Sequence, residues 1–245
     1  MKRARLWSYM GWQARDFAFE RGAPLLIVAT LMAFPVIMEL RKIRPAISTT
    51  GQAHSLVVSG ILEVLSQFSF IAVLIGINGI VSNDRVRGYY RFLFAKPVSI
   101  PRYYAQAFVV NGAGLAFSAL TVMVAIYAFG YPVFLPRALL MVALAYVSLG
   151  GLGFLFSTVA RFDWVLMGGT WGLAQVLRAV YPAPQSRAGR VLDVILPPYH
   201  RLRDVSLELA GGDPTDTRTI AWLLGWGVTA FILGLIILRR RPLAT

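Results

Sequence analysis

Six stretches of this chain run for the length of a membrane-crossing helix with almost no charge: residues 24–40, 58–81, 105–129, 138–160, 164–181 and 220–238. A helix needs roughly 20 predominantly apolar residues to cross the hydrocarbon of a bilayer. A soluble chain of 245 residues can bury a large core, but it has no use for so many near-chargeless runs in series. The first run is short and holds Pro35, which neighbouring helices tolerate inside a membrane. With 57% hydrophobic and 14% charged residues, the chain reads as an all-α membrane protein, one transmembrane domain over residues 1–245 with six spans.

Composition removes several classes of function. There is no cysteine, so disulfide frameworks, thiol nucleophiles and cysteine metal sites are excluded. No apolar core precedes residue 24 and no small-residue cleavage pattern follows, so a removed signal peptide is not expected. The net charge of +13 would suggest nucleic acid in a soluble protein. Here no basic region is large enough to form a separate domain, so nucleic acid is not an expected partner. Basic residues instead orient spans and meet anionic lipid headgroups, which makes membrane lipid the expected contact.

The distribution of these charges sets an orientation. With six spans both ends lie on one side. That side collects Lys2, Arg3, Arg5, Arg15 and Arg21, then Arg85, Arg87, Arg91, Lys96 and Arg102, then Arg161, Arg239, Arg240 and Arg241, fourteen basic residues in all. The other side holds nine: Arg41, Lys42, Arg44, Arg137, Arg187, Arg190, Arg201, Arg203 and Arg218. Arg178 sits near a span end and can snorkel. The bias places both termini in the cytoplasm. Residues 1–22 read as an interfacial helix, with Leu6, Trp7, Met10, Ala14 and Phe17 at helical spacing and tryptophans at 7 and 12 suited to the headgroup zone.

Two connections carry more than a connection needs. Residues 82–104, cytoplasmic on this orientation, interleave Asp84, Arg85, Arg87, Gly88, Arg91, Lys96 and Arg102 with Tyr89, Tyr90, Phe92, Leu93 and Phe94, and then break at Pro97 and Pro101. Charge, apolar surface and helix stops in so few residues indicate a docking surface at the membrane face, and Gly88 suits a turn or a close approach there. Residues 182–219 hold two amphipathic pieces, 186–196 and 199–210, separated by Pro197 and Pro198. They fit short helices lying on, or dipping into, the outer face.

Within the spans, polar residues gather on the second. Ser59, Glu63, Gln67, Asn78 and Ser82 fall near one helical face, which should look into the bundle, a subunit interface or water. Glu63, Gln67 and Asn78 are candidate translocation-path residues, although a hydrogen-bonded Glu63 near the outer interface is the plainer reading. Asn111 and Gln175 read as inter-helix hydrogen bonding. Glycines at 150, 151 and 153, at 168, 169 and 172, and at 225, 227 and 234 read as close helix packing. Catalytic patterns are missing: no HExxH accompanies His54 or His200, no GxSxG is present, and Asp213 and Asp216 lie in a turn sequence. Lys2, Lys42 and Lys96 follow Met, Arg and Ala, so no P-loop exists and ATP hydrolysis by that route is excluded.

Taken in order, a basic interfacial helix, two spans, a structured cytoplasmic link, four more spans and a long outer segment before the last resemble the type-2 ATP-binding-cassette (ABC) permease family, the exporter-class membrane subunits. In that family the link opens acidic–basic–x–x–Gly, continues with a hydrophobic stretch, and ends small–x–Pro–Val/Leu–Ser. Asp84, Arg85 and Gly88 match the first part, Phe92, Leu93 and Phe94 the second, and Ala95, Lys96, Pro97, Val98 and Ser99 the third. Arg161-Phe162-Asp163-Trp164 is similar to the family's short second cytoplasmic turn, and residues 195–202 to its outer Pro-aromatic segment. Tyr89-Tyr90-Arg91 departs from the family's usual Thr-Leu/Ile-Glu, making this surface more basic and aromatic.

The resemblance implies a permease subunit of an ATP-driven exporter in the plasma (inner) membrane. A separate ABC ATPase subunit, carrying ATP and Mg, would dock on Asp84, Arg85, Arg87, Gly88, Tyr89, Tyr90, Arg91, Phe92, Lys96 and Pro97. A second permease copy, in a homodimer or heterodimer, would complete the pore, and this chain would bind no cofactor itself. Two other classes compete: a multi-pass membrane enzyme acting on lipid, which lacks a convergent set of acid, base or metal ligands, and a non-transporting assembly factor.

Overall fold

The computed structural model describes residues 2–47, 51–86, 88, 99–130, 134–181, 186–211 and 216–240. All regular structure among them is helical. In chain order these are α1 (Lys2–Phe17), a π-helical turn (Ala18–Gly22), α2 (Ala23–Ile47), α3 (Gly51–Ile77), α4 (Ser82–Val86), α5 (Ile100–Ala128), α6 (Leu135–Val159), α7 (Asp163–Val180), α8 (Arg187–Ile195), α9 (Tyr199–Gly211) and α10 (Thr217–Arg240). Four stretches among the described residues are long and apolar enough to cross a membrane: Met10–Pro35, Ile100–Ala128, Leu135–Val159 and Thr217–Arg240. Their outward faces are apolar too, with Leu31, Phe117, Tyr127 and Ile232 exposed, as a surface facing lipid requires. The chain has the character of a multi-pass membrane protein.

Local chemistry explains where the ends fall. The second apolar run was expected to be helical to residue 81, but α3 stops at Ile77. Gly79 takes φ +72°, a left-handed stop, and the Ile80 amide folds back to the Ile77 carbonyl at 3.1 Å. Pro101, expected as a break, lies in the first turn of α5, where a missing N–H costs no hydrogen bond. The expected interfacial helix joins the first span without a loop, because the π turn carries helical backbone from Phe17 into Ala23. The two amphipathic pieces form α8 and α9, divided at the two prolines as expected.

The core is built on one close helix pair. α6 and α10 pack side by side at Gly151 and Gly227: a Cβ on Gly151 would stand 2.1 Å from the Gly227 carbonyl oxygen, and one on Gly227 would stand 2.2 Å from that of Val147. Only glycine permits this backbone approach. Around the pair, Phe108, Tyr146, Phe154 and Phe231 stack with ring centroids 4.4–6.1 Å apart, locking α5 to α6 and α10. The Tyr146 hydroxyl donates to the Phe108 carbonyl across the same seam.

The glycines of α7 do not share that role. Ideal Cβ atoms at Gly168, Gly169 and Gly172 meet nothing within 4 Å, and the same holds for Gly225. α7 lies at the rim, burying Asp163, Met167 and Ala174 on a single stripe. Close packing, expected for all these glycines, therefore holds for α6 and for Gly227 and Gly234 of α10, and not for α7.

α9 is more deeply engaged than a surface helix. Leu202, Val205 and Leu209 are buried against α3 and α6. Leu196, Pro197, Pro198 and Tyr199, the tip between α8 and α9, are buried as well. Tyr199 meets Phe70 of α3 edge-on at 6.1 Å and donates to the Met167 carbonyl of α7 at 3.2 Å. Met167 lies 13 residues before the last residue of α7, so this tip reaches roughly 20 Å down that helix.

Candidate functional site

At the end of the bundle where α3 gives way to the link, polar groups from four separate segments close on a few backbone atoms. The last carbonyls of a helix have no partners within it. Here Arg21, from the π turn, donates to the Gly76 carbonyl, placing a cation at the negative end of α3. Three residues on, the Gly79 amide donates to the Asp163 carboxylate at 2.8 Å. Asp163 is 2% exposed, and its other oxygen accepts from the Trp164 amide at 3.0 Å. It occupies the first turn of α7, where a carboxylate also meets the positive end of the helix dipole.

The segment after this turn is tied in from the other side. In α4, the Asp84 carboxylate accepts from the Tyr104 hydroxyl of α5 at 3.1 Å. Tyr104 is fully buried, stacked edge-on with Tyr103 at 5.2 Å. The buried Gln13 side chain of α1 donates to the Tyr103 carbonyl at 3.3 Å. Thus the π turn, α5 and α7 grip the stretch from Gly76 to Asp84, and α1 braces it indirectly by holding Tyr103 of α5. Gly79 sharpens the geometry: a Cβ there would lie 2.2 Å from the Asn83 amide nitrogen, so the left-handed turn and the Asn83 side chain occupy the same small space.

The residues singled out in the sequence divide as follows. Asp84 sits in this junction. Gly88 takes φ +70°, where a Cβ would meet nothing within 4 Å among the described residues, a turn that glycine adopts without strain. Arg87, Tyr89, Tyr90, Arg91, Phe92, Lys96 and Pro97 lie outside the described residues, as do Leu93, Phe94, Ala95 and Val98. The side chains of Arg85 and Glu63 lie outside them too, although both backbones are helical. Gln67 on α3 is exposed, and so is Asn78, which belongs to the turn after α3, so neither points into the interior of the bundle.

Sequence reasoning missed Gln13, Arg21, Gly76, Gly79, Tyr104 and Asp163. Two carried a usable signal. Asn78-Gly79 is a turn dipeptide inside an otherwise apolar run. Asp163 is a lone carboxylate at the head of an apolar run, where helix first turns favour acids. Among the described residues no three His, Cys, Asp or Glu side chains converge as a metal site would require. Most of the junction's hydrogen bonds among the described residues run to backbone, so the arrangement holds segments in register. No family model matches the chain, and no curated protein matches it.

Proposed function

We propose that this chain is the membrane-spanning permease subunit of an ATP-driven exporter of the type-2 ABC class. On this reading α3 and α7 join the four long apolar helices to make six spans, with both termini in the cytoplasm of the inner membrane. α3 has 27 residues and α7 has 18, about 40 and 27 Å of helix, enough for a crossing. The observation that carries the reading is the junction: the link leaves α3 and re-enters at α5 through a knuckle held by the π turn, α5 and α7. A force applied to residues 82–99 would reach four helical segments at once, as a transmission point for an external motor should.

The motor is a separate ABC ATPase subunit holding ATP and Mg, since the chain has no P-loop of its own. It docks on the basic, aromatic surface of the link. A second permease copy faces Gln67, an exposed polar group within α3, and Asn78 in the turn just beyond it, since polar groups on a spanning helix call for an aqueous or subunit neighbour. Reversing charge with Arg87→Glu and Arg91→Glu is the direct test. Membrane insertion should be unchanged and the ATPase subunit should no longer co-purify. Unchanged co-purification, or ATP turnover by the chain alone, removes the proposal.

A further inference from the structure

A second polar cluster lies away from the link, where α7, α8, α9 and α10 meet. One carboxylate organises it. Asp193 of α8 accepts from Arg178 of α7 at 2.9 Å through Oδ1 and from Arg201 of α9 through Oδ2. His200 of α9 places Nε2 2.9 Å from the same Oδ1. Arg201 also lies over the Trp222 ring of α10, 4.0 Å from its centroid. Four helices are thereby joined through two side chains, Asp193 and Arg201.

The state of these groups is set by their surroundings. Burial pushes His200 down to about 4, helped by Arg178 and opposed by Asp193. Its Nδ1 is buried with no partner among the described residues, so a second ring proton would have no acceptor. Neutral His200 donates through Nε2 and leaves Nδ1 bare. Burial alone would raise Asp193, but the Arg201 hydrogen bond and the neighbouring charges bring it below the usual carboxylate range. The carboxylate is therefore the anion that both arginines contact directly, with Asp204 acting on Arg178 and His200 from farther away.

The cluster spans a connection that is otherwise unevenly held. α9 is anchored by its buried leucines and by Tyr199, while α8 exposes Val191, Val194 and Ile195 and buries only Gly189. Besides Leu192, which packs against the core, and Leu196 at its end, what ties α8 back to the bundle is Asp193.

We infer that Asp193 is an ionic latch that holds the α8–α9 hairpin against α7 and α10, and that this end of the bundle opens through its release. The latch rests on the geometry; its part in opening rests on the permease reading. The chain has no cysteine, so introduced pairs label uniquely. Spin labels at Ala188→Cys and Ala221→Cys report hairpin to α10, and labels at Leu140→Cys and Ala221→Cys report the α6–α10 scaffold. All three positions are exposed.

With Asp193 intact, the hairpin pair should give one narrow distance distribution. Asp193→Asn should add a population longer by about 5 Å, a helical turn, while the scaffold pair stays narrow and Asp193→Glu restores the single distribution. A hairpin distribution unchanged in Asp193→Asn overturns the latch. If that variant also broadens the scaffold pair, Arg178→Gln with Arg201→Gln, which leaves no uncompensated cation, takes its place under the same criterion. Loss of the permease reading in the link test leaves these distances untouched, so the two ideas fail separately.

Discussion

Removing the carboxylate at Asp163 isolates the contribution of the junction. In Asp163→Ala the buried Gly79 amide loses its one acceptor among the described residues, and an orphaned buried donor costs roughly 1–3 kcal/mol. Loss of the charge in the first turn of α7 adds about 0.3–1 kcal/mol. The cavity beside Asp163, lined by Val73, Ile77, Gly153 and Met167, is only about 10 Å³. It is at the lower limit for one water, so in the intact protein the Gly79 amide depends on the Asp163 carboxylate and not on solvent. The sum is near 3 kcal/mol, or a fall of about 6–12 °C in melting temperature for a domain of this size. Thermal unfolding in detergent, followed by size-exclusion recovery, reads it. Asp163→Asn keeps an acceptor for Gly79 and loses the charge, so its loss should be less than half as large. A shift below about 2 °C for the alanine variant would refute the reasoning, as would an asparagine variant as damaged as alanine.

Three further outcomes test other parts of the structure. Gly227→Val should separate α6 from α10, since even a Cβ there stands 2.2 Å from the Val147 carbonyl oxygen; a loss of about 3 kcal/mol or more is expected from overpacking against backbone, and a melt within error of wild type contradicts it. Gly168→Ala, with open space around it, should by contrast leave stability unchanged or raise it by up to about 1 kcal/mol. His200 is held near 4 against an ordinary value near 6.5, so its neutral form stabilises the fold above pH 6.5 and that contribution fades as pH falls toward 4. With the side chain about a quarter exposed, the loss by pH 5 is at most roughly 2 kcal/mol, and His200→Gln should flatten the melting profile between pH 7 and 5. An equally steep profile in the variant removes His200 as the cause.

How far the chain could be read in advance depended on what kind of signal each part used. Apolar runs report helices well, and α6, α7 and α10 begin and end within three residues of the runs that announced them. Pro197 and Pro198 divided α8 from α9 as written. Ends set by backbone conformation were harder: Gly79 was absorbed into an apolar run although Asn-Gly is a turn pair, and Pro101 looked like a stop although a first-turn proline starts a helix. Long-range polar pairs were out of reach. Nothing local to Asp163 says that the amide of Gly79, 84 positions earlier, will sit 2.8 Å away, and nothing local to Arg21 points to Gly76. The glycines show the same limit, since Gly151 and Gly169 look alike until α10 is found against one and open space beside the other.

The central claim is that ATP energy enters this chain from outside, through the link. A photo-crosslinking residue placed at Arg91 in the membrane-embedded protein, combined with an azido-ATP label, measures this in one experiment. The expected product is a covalent adduct with a second polypeptide that itself takes the ATP label and carries a P-loop, with crosslink yield changing when ATP is added. Crosslinks to lipid or to another copy of this chain alone, or ATP label on this chain itself, would contradict it.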